Sequence, residues 1–197
     1  MSKIVKHTTV GKDFWKPTRH GFLKFNIDGA SKGNLGVADY GGVIRDEQGN
    51  IKVIFHSHLG NATNNMAELM VLEEGLEILI EYNLHNTIIE VDSGLTITLV
   101  KKIGNDAVLE KVSNNWWLLQ IYQCIQSHLK ALRTLRFVHV RRTANKLVDH
   151  LVNEGVLCTR DNRSYAWEMT PLGKLREDCH RQAIKDREYF QFTKDKQ

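Results

Sequence analysis

Cysteine is scarce in this chain. Its 197 residues hold three, Cys124, Cys158 and Cys179, odd in number and widely spaced. None shows metal-ligand spacing, so a cysteine-built metal site is excluded and a reduced, intracellular compartment is expected, with nucleus and cytoplasm both open. Long apolar runs are also missing. No stretch approaches the roughly 18 residues of a membrane span, so no membrane partner is expected. The lysine-bearing N-terminus has no apolar h-region, which argues against a secretory signal. Charge of one sign is in small excess, +4 overall, and unevenly placed. Residues 1–20 hold five Lys/Arg against one acid; residues 21–155 hold 13 against 15; residues 156–197 hold nine against seven. The middle is acidic unless something neutralises some of its carboxylates, and the mildly basic ends are compatible with nucleic-acid phosphate.

What is present is an ordinary globular composition, 42% hydrophobic and 25% charged, with enough apolar material for one core. Residues 1–20 lack periodicity and read as a basic, flexible arm. "FLKFNIDG" (Phe22–Gly29) alternates, with Leu23, Phe25 and Ile27 on one side and Lys24, Asn26 and Asp28 on the other, as in a strand with one well-buried face. Two further extended runs flank "DEQGN" and predict a hairpin. The period then changes. "NNMAELMVLEEGLEILIEYN" places Met66, Leu69, Leu72, Leu76, Leu79 and Ile80 at helical spacing, with Asn64 or Asn65 as its N-cap. A strand (HNTIIEVD), a short helix begun by Ser93, a longer helix with Trp116 and Trp117 near its start, a strand (TLRFVHVRR) and a helix (TANKLVDHLVNEGV) follow. Three antiparallel strands followed by alternating helices and strands predict an α/β fold, a five-stranded mixed sheet flanked by helices. The expected organisation is an arm at 1–20, a domain at 21–156 and a C-terminal extension at 157–197. The extension carries a helix over 171–190, begun by Thr170 and Pro171, that packs on the domain, on a partner protein or on a second copy.

Four acids stand out by position. Asp28 lies on the first strand, Asp92 ends the fourth, Glu68 sits early in the first long helix, and Asp149 lies in the second turn of the last domain helix. In such sheets, sites form where strand ends meet helix starts. Carboxylates brought together repel, and a hard divalent cation relieves the conflict, Mg²⁺ or Mn²⁺ rather than Zn²⁺ for oxygen-only ligands. Taken singly, each acid reads as a solvated surface group. As an ordered set, "FNIDGASKGNLG", "TNNMAEL", "IIEVDSG" and "NKLVDHL" resemble the four carboxylate motifs of type 1 ribonuclease H, and most of all its plant retroelement-derived, reverse-transcriptase-like branch. The resemblance spans residues 15–155 in the correct order.

The resemblance implies an RNase H-like fold. It also implies that Asp28, Glu68, Asp92 and Asp149 are the catalytic, metal-binding acids, holding two Mg²⁺ for which Mn²⁺ can substitute. The implied reaction is hydrolysis of the RNA strand of an RNA/DNA hybrid, leaving 5′-phosphate and 3′-hydroxyl ends. Asn34, Asn64 and Asn65 match the family's minor-groove contacts, Thr63 a contact to DNA phosphate, and Ser93 joins this substrate-binding set. Asn64 and Asn65 equally suit a helix cap. Trp116 and Trp117 suit either base stacking or, as the plainer reading, one ring on the sheet and one half exposed. Lys101, Lys102, Arg141 and Arg142 suit either phosphate contact or ordinary element ends. The chain departs from bacterial members in having no glycine-rich, histidine-bearing loop before Asp149. His139, Arg141 and Arg142 are the candidates to stand in for it, and a basic protrusion is also missing near "GNDAVLEKVSNNWW". A domesticated module that binds nucleic acid with weak or no turnover is the alternative.

Overall fold

The computed structural model describes residues 14–33, 35–103, 115–132, 134–154, 163–166 and 174–194. Strands β1 (Leu23–Ser31), β2 (Gly36–Arg45) and β3 (Ile51–Ala62) form an antiparallel meander. Helix α1 (Asn64–Glu81) leads to β4 (Thr87–Val91), then α2 (Gly94–Ile103), α3 (Trp116–Ala131), β5 (Leu135–His139) and α4 (Lys146–Glu154). A four-residue strand β6 (Arg163–Ala166) and helix α5 (Lys174–Lys194) follow. The sheet order is β5-β4-β1-β2-β3-β6, with β4 parallel to both β1 and β5. No helix among the described residues is long and apolar enough to cross a membrane.

Two layers sandwich the sheet. Phe25 and Ile27 of β1 join Leu72 and Leu76 of α1, Ile97 of α2 and Ile125 of α3 in one core. On the other face, Val43 and Ile54 meet Leu147 and Leu151 of α4 and Cys179 and Ala183 of α5. Each Val, Leu, Ile or Phe side chain among these is worth about 1.5–3 kcal/mol when buried. A one-residue slip of β1 would exchange Phe25 and Ile27 for Asn26 and Asp28, so register is strongly specified.

The structure corrects several expectations. The sheet gains a sixth strand, because β6 pairs antiparallel with Val53–His56 along the outer edge of β3. A strand edge is a row of unpaired peptide groups that gains from any such partner, and four residues are too few to show a period. The N-cap of α1 is Thr63 rather than Asn64 or Asn65. Its extended backbone lets Oγ1 accept from the Met66 amide at 3.2 Å. Asp149 lies in the first turn of α4, not the second. The arm does not run free to residue 20, since Trp15 is 1% exposed and stacks under the Arg45 guanidinium. Neither Trp116 nor Trp117 is buried on the sheet; they are 74% and 38% exposed. The polar side of β1 is not a solvated face either, because Lys24 and Asn26 are buried.

Candidate active site

The site begins at β1, where parallel and antiparallel pairing meet. β1 and β4 run parallel with Asn26 opposite Glu90, and two residues further along each chain lie Asp28 and Asp92. Strand alternation turns Asp28 to the α4 side. Across β1, Gly29 faces α1 so closely that an added Cβ would lie 2.5 Å from the Ala67 carbonyl carbon and 2.7 Å from the Glu68 amide nitrogen. Glycine therefore lets the start of α1 settle against β1, which brings Glu68 beside the strand that carries Asp28. Gly29→Ala is expected to push α1 outward and destabilise the fold by about 1–3 kcal/mol, the usual cost of overpacking. Chemical denaturation measures this; an unchanged midpoint would refute the close approach.

Each acid is held differently. Glu68 accepts from Thr96 Oγ1 at 2.6 Å and also bonds Ser93. Ser93 Oγ in turn caps α2 by accepting from the Thr96 amide at 3.2 Å. His139 Nε2 lies 3.0 Å from the Asp92 carbonyl oxygen. A carbonyl only accepts, so this nitrogen carries the hydrogen and ties the end of β5 to the backbone of Asp92. Asp149 Oδ1 accepts from Arg142 Nε at 2.9 Å and Nη2 at 2.6 Å. Asn145, 1% exposed, fastens the start of α4 to β1: its Nδ2 donates to the Ile27 carbonyl at 2.9 Å, and its own carbonyl accepts the Asp149 amide at 3.0 Å.

The electrostatics tie the acids into one cleft. Burial pushes the Asp28 carboxyl up from 3.8 to about 7, and the charges of Asp92 and Asp149 push it the same way, against Arg142. Burial also raises Asp92, with Asp149 adding to it, and raises Glu68, with Asp92 adding to it. Arg142 is pushed up in turn by its bond to Asp149 and by the charges of Asp28 and Asp92. Among the described residues no three histidine, cysteine or acidic side chains form a ready-made metal cage. Like charges repel at this range, and Arg142 draws Asp149 to itself.

The sequence-predicted substrate residues do not all behave alike. Asn64 Oδ1 accepts from the Ser31 amide at 2.6 Å, joining the end of β1 to the start of α1. It lines a polar groove with Ser31, Lys32, Asp39, Arg142 and Asn153. Asn65 is exposed. Thr63 and Ser93 serve as helix caps, and Asn34 lies outside the described residues, as does most of the segment compared with the basic protrusion. Sequence reasoning missed Asn26, Arg45 and Asn145, which underpin the site. The available signal was weak: Asn145 stands one turn before Asp149, and Asn26 two residues before Asp28 on the same strand face.

A meander joined to parallel strands, with acids from four elements facing one cleft, is the architecture of the ribonuclease H-like class. The chain belongs to the reverse transcriptase-like family, whose model matches residues 26–155. It is 32% identical over 139 residues, 71% of its length, to an Arabidopsis thaliana protein named "Putative ribonuclease H protein". It spans only 21% of that protein and 34% of a mycobacterial relative, the "Bifunctional protein" of Mycobacterium tuberculosis. Its fold is similar to the crystal structure of RNase H1 from the halophilic archaeon Halobacterium salinarum. That likeness has a TM-score of 0.57 and 28% identity, over 69% of this chain and 98% of the other. LC11-RNase H1, solved in complex with an RNA/DNA hybrid, is similar at a TM-score of 0.52 and 29% identity, over 67% and 94%.

Proposed function

We propose that this protein is a metal-dependent endoribonuclease that hydrolyses the RNA strand of RNA/DNA hybrids, leaving 5′-phosphate and 3′-hydroxyl ends. The observation that carries the reading is the cleft in which the charges of Asp92 and Asp149 raise the proton affinity of the Asp28 carboxyl, and that of Asp149 raises Asp92. Its donors are carboxylate oxygens, a set suited to hard divalent cations, and the mutual repulsion is what a cation relieves. Asp28, Glu68, Asp92 and Asp149 would hold Mg²⁺ or Mn²⁺. When bound in pairs, such ions activate a water and stabilise the leaving oxygen. The chain's own residues prepare the site. Thr96 and Ser93 orient Glu68, His139 fixes the Asp92 backbone, and Asn145 sets α4 against β1. Arg142 serves as counter-charge to the carboxylates and lines the groove that Asn64 shares. In this reading that groove receives the hybrid backbone, and the amides choose RNA through its 2′-hydroxyl. The family match and the hybrid-bound relative support the same reading.

A labelled RNA/DNA hybrid, incubated with the protein in Mg²⁺ and separately in EDTA, tests it. Cleavage of the RNA strand is expected in Mg²⁺ only, with single-stranded RNA and duplex DNA left intact. Equal cutting of single-stranded RNA in EDTA would overturn the reading. Tight hybrid binding with no cleavage in Mg²⁺ would replace it with that of a binding module.

A further inference from the structure

We infer that Asp186, Arg45, Asn26 and Asn145 form a buried brace through which helix α5 holds α4, and with it Asp149, in position beside Asp28. The inference rests on the proposed function for what the position is used for, but not for the brace itself.

Asn26 is the hub. It is completely buried, two residues before Asp28 and on the same face of β1. Its Nδ2 donates to Glu90 Oε2 at 2.9 Å and to Asn145 Oδ1 at 3.0 Å, while its Oδ1 accepts from Arg45 Nη2 at 2.7 Å. The amide therefore has one acceptable orientation, because a flip would set its N–H groups against the guanidinium. Asn145 carries the constraint onward to the Ile27 carbonyl and the Asp149 amide. Arg45, 1% exposed, is fixed from outside the strand. Its Nη1 donates to Asp186 Oδ2 at 2.8 Å, and its guanidinium lies 3.9 Å from the centre of the Trp15 ring. Gln182, one turn away on α5, donates to the other Asp186 oxygen at 3.1 Å.

Both anchors of Arg45 lie outside the family match at 26–155. The flanking segments thus complete a framework that the matched domain leaves open. Stability alone is a poor account of it. A buried ion pair loses much of its attraction to desolvation, and Arg45 Nε has no hydrogen-bond partner among the described residues. What the arrangement does supply is a single orientation for Asn26 and Asn145. These four are positioning residues, none of which reaches the cleft's carboxylates by its own side chain in the bonds described.

The test uses the full chain carrying Arg45→Met with Asp186→Leu, which removes both charges together and keeps volume. Such replacements leave stability near or above the wild type, yet Asn26 Oδ1 loses its donor. The expected result is a kcat lowered about tenfold or more, in the range set by loss of outer-shell partners, with KM within about twofold and the thermal midpoint retained. Hydrogen exchange at the Asp149 amide, measured in EDTA without substrate, is expected to quicken by a similar factor. Unchanged exchange, or a kcat within twofold of wild type in the folded double variant, would overturn the inference. If the double variant does not fold, Asp186→Asn, which keeps shape and an acceptor but not the countercharge, is judged by the same exchange measurement, and unchanged exchange overturns the inference. If the wild type cleaves no hybrid, the proposed function fails, and exchange alone decides the brace.

Discussion

Asp92→Asn is expected to lower hybrid cleavage by more than about a hundredfold, beyond the 10–100-fold typical of losing an outer-shell partner of a metal site, while the metal-free protein stays as stable as the wild type or becomes more so. The two halves of this outcome come from one geometry. Asp92 stands just past the end of β4, next to the strand that carries Asp28, and its charge raises both Asp28 and Glu68. A neutral amide removes that repulsion and keeps the shape, but it is a much weaker ligand for a hard cation. The Asp92 backbone is unaffected, because His139 holds its carbonyl rather than its side chain. Thermal melts in EDTA and a cleavage assay in Mg²⁺ measure the two halves separately. A clear loss of stability without metal would show that Asp92 does not share a repulsive cleft, and retained turnover would remove it from the proposed metal set.

Asp28→Asn is expected to stabilise the metal-free protein in a strongly pH-dependent way. In the fold the Asp28 carboxyl titrates at about 7 instead of 3.8. A raised acid favours the fold while it is protonated, so that stability is fully present below 3.8 and is lost as pH rises through about 7. The asparagine stays neutral throughout. The variant and the wild type should therefore be nearly equal at pH 4 and differ at pH 8 by on the order of 4 kcal/mol. Urea unfolding of both proteins in EDTA at the two pH values measures this. A gap of the same size at both would mean the effect is packing, not charge. Mg²⁺ should narrow the gap at pH 8, since a bound cation stabilises the ionised form of Asp28 and offers nothing comparable to the amide.

Much of the fold was legible because apolar spacing is local information. Phe25 and Ile27 alternate, and Leu69, Leu72, Leu76 and Leu79 recur at helical spacing. The elements they predict match β1 and α1 closely. β6 was not legible, because its four residues show no period and owe their conformation to the open edge of β3. The α1 cap was misread because threonine and asparagine are both good caps. Only the backbone path decided that Thr63 caps while Asn64 reaches back to Ser31. Trp15 lies in a basic stretch without periodicity, and only the fold brings Arg45, thirty residues on, over its ring.

The sequence by itself determined which residue types were available: four acids in order, apolar stripes of two periods, and a chain poor in cysteine. Those follow from composition and spacing, which do not depend on distant contacts. The tertiary structure alone decided what the polar face of β1 does. Lys24, Asn26 and Asp28 alternate identically in sequence, yet Lys24 pairs with Glu90 at 2.7 Å, Asn26 joins three elements, and Asp28 opens onto the cleft. The difference arises because Glu90, Arg45 and Asp186 arrive from β4, β2 and α5, and Asn145 from the residue just before α4. A hydrogen bond or ion pair depends on a partner within about 3 Å, and the partners that set these roles are distant along the chain.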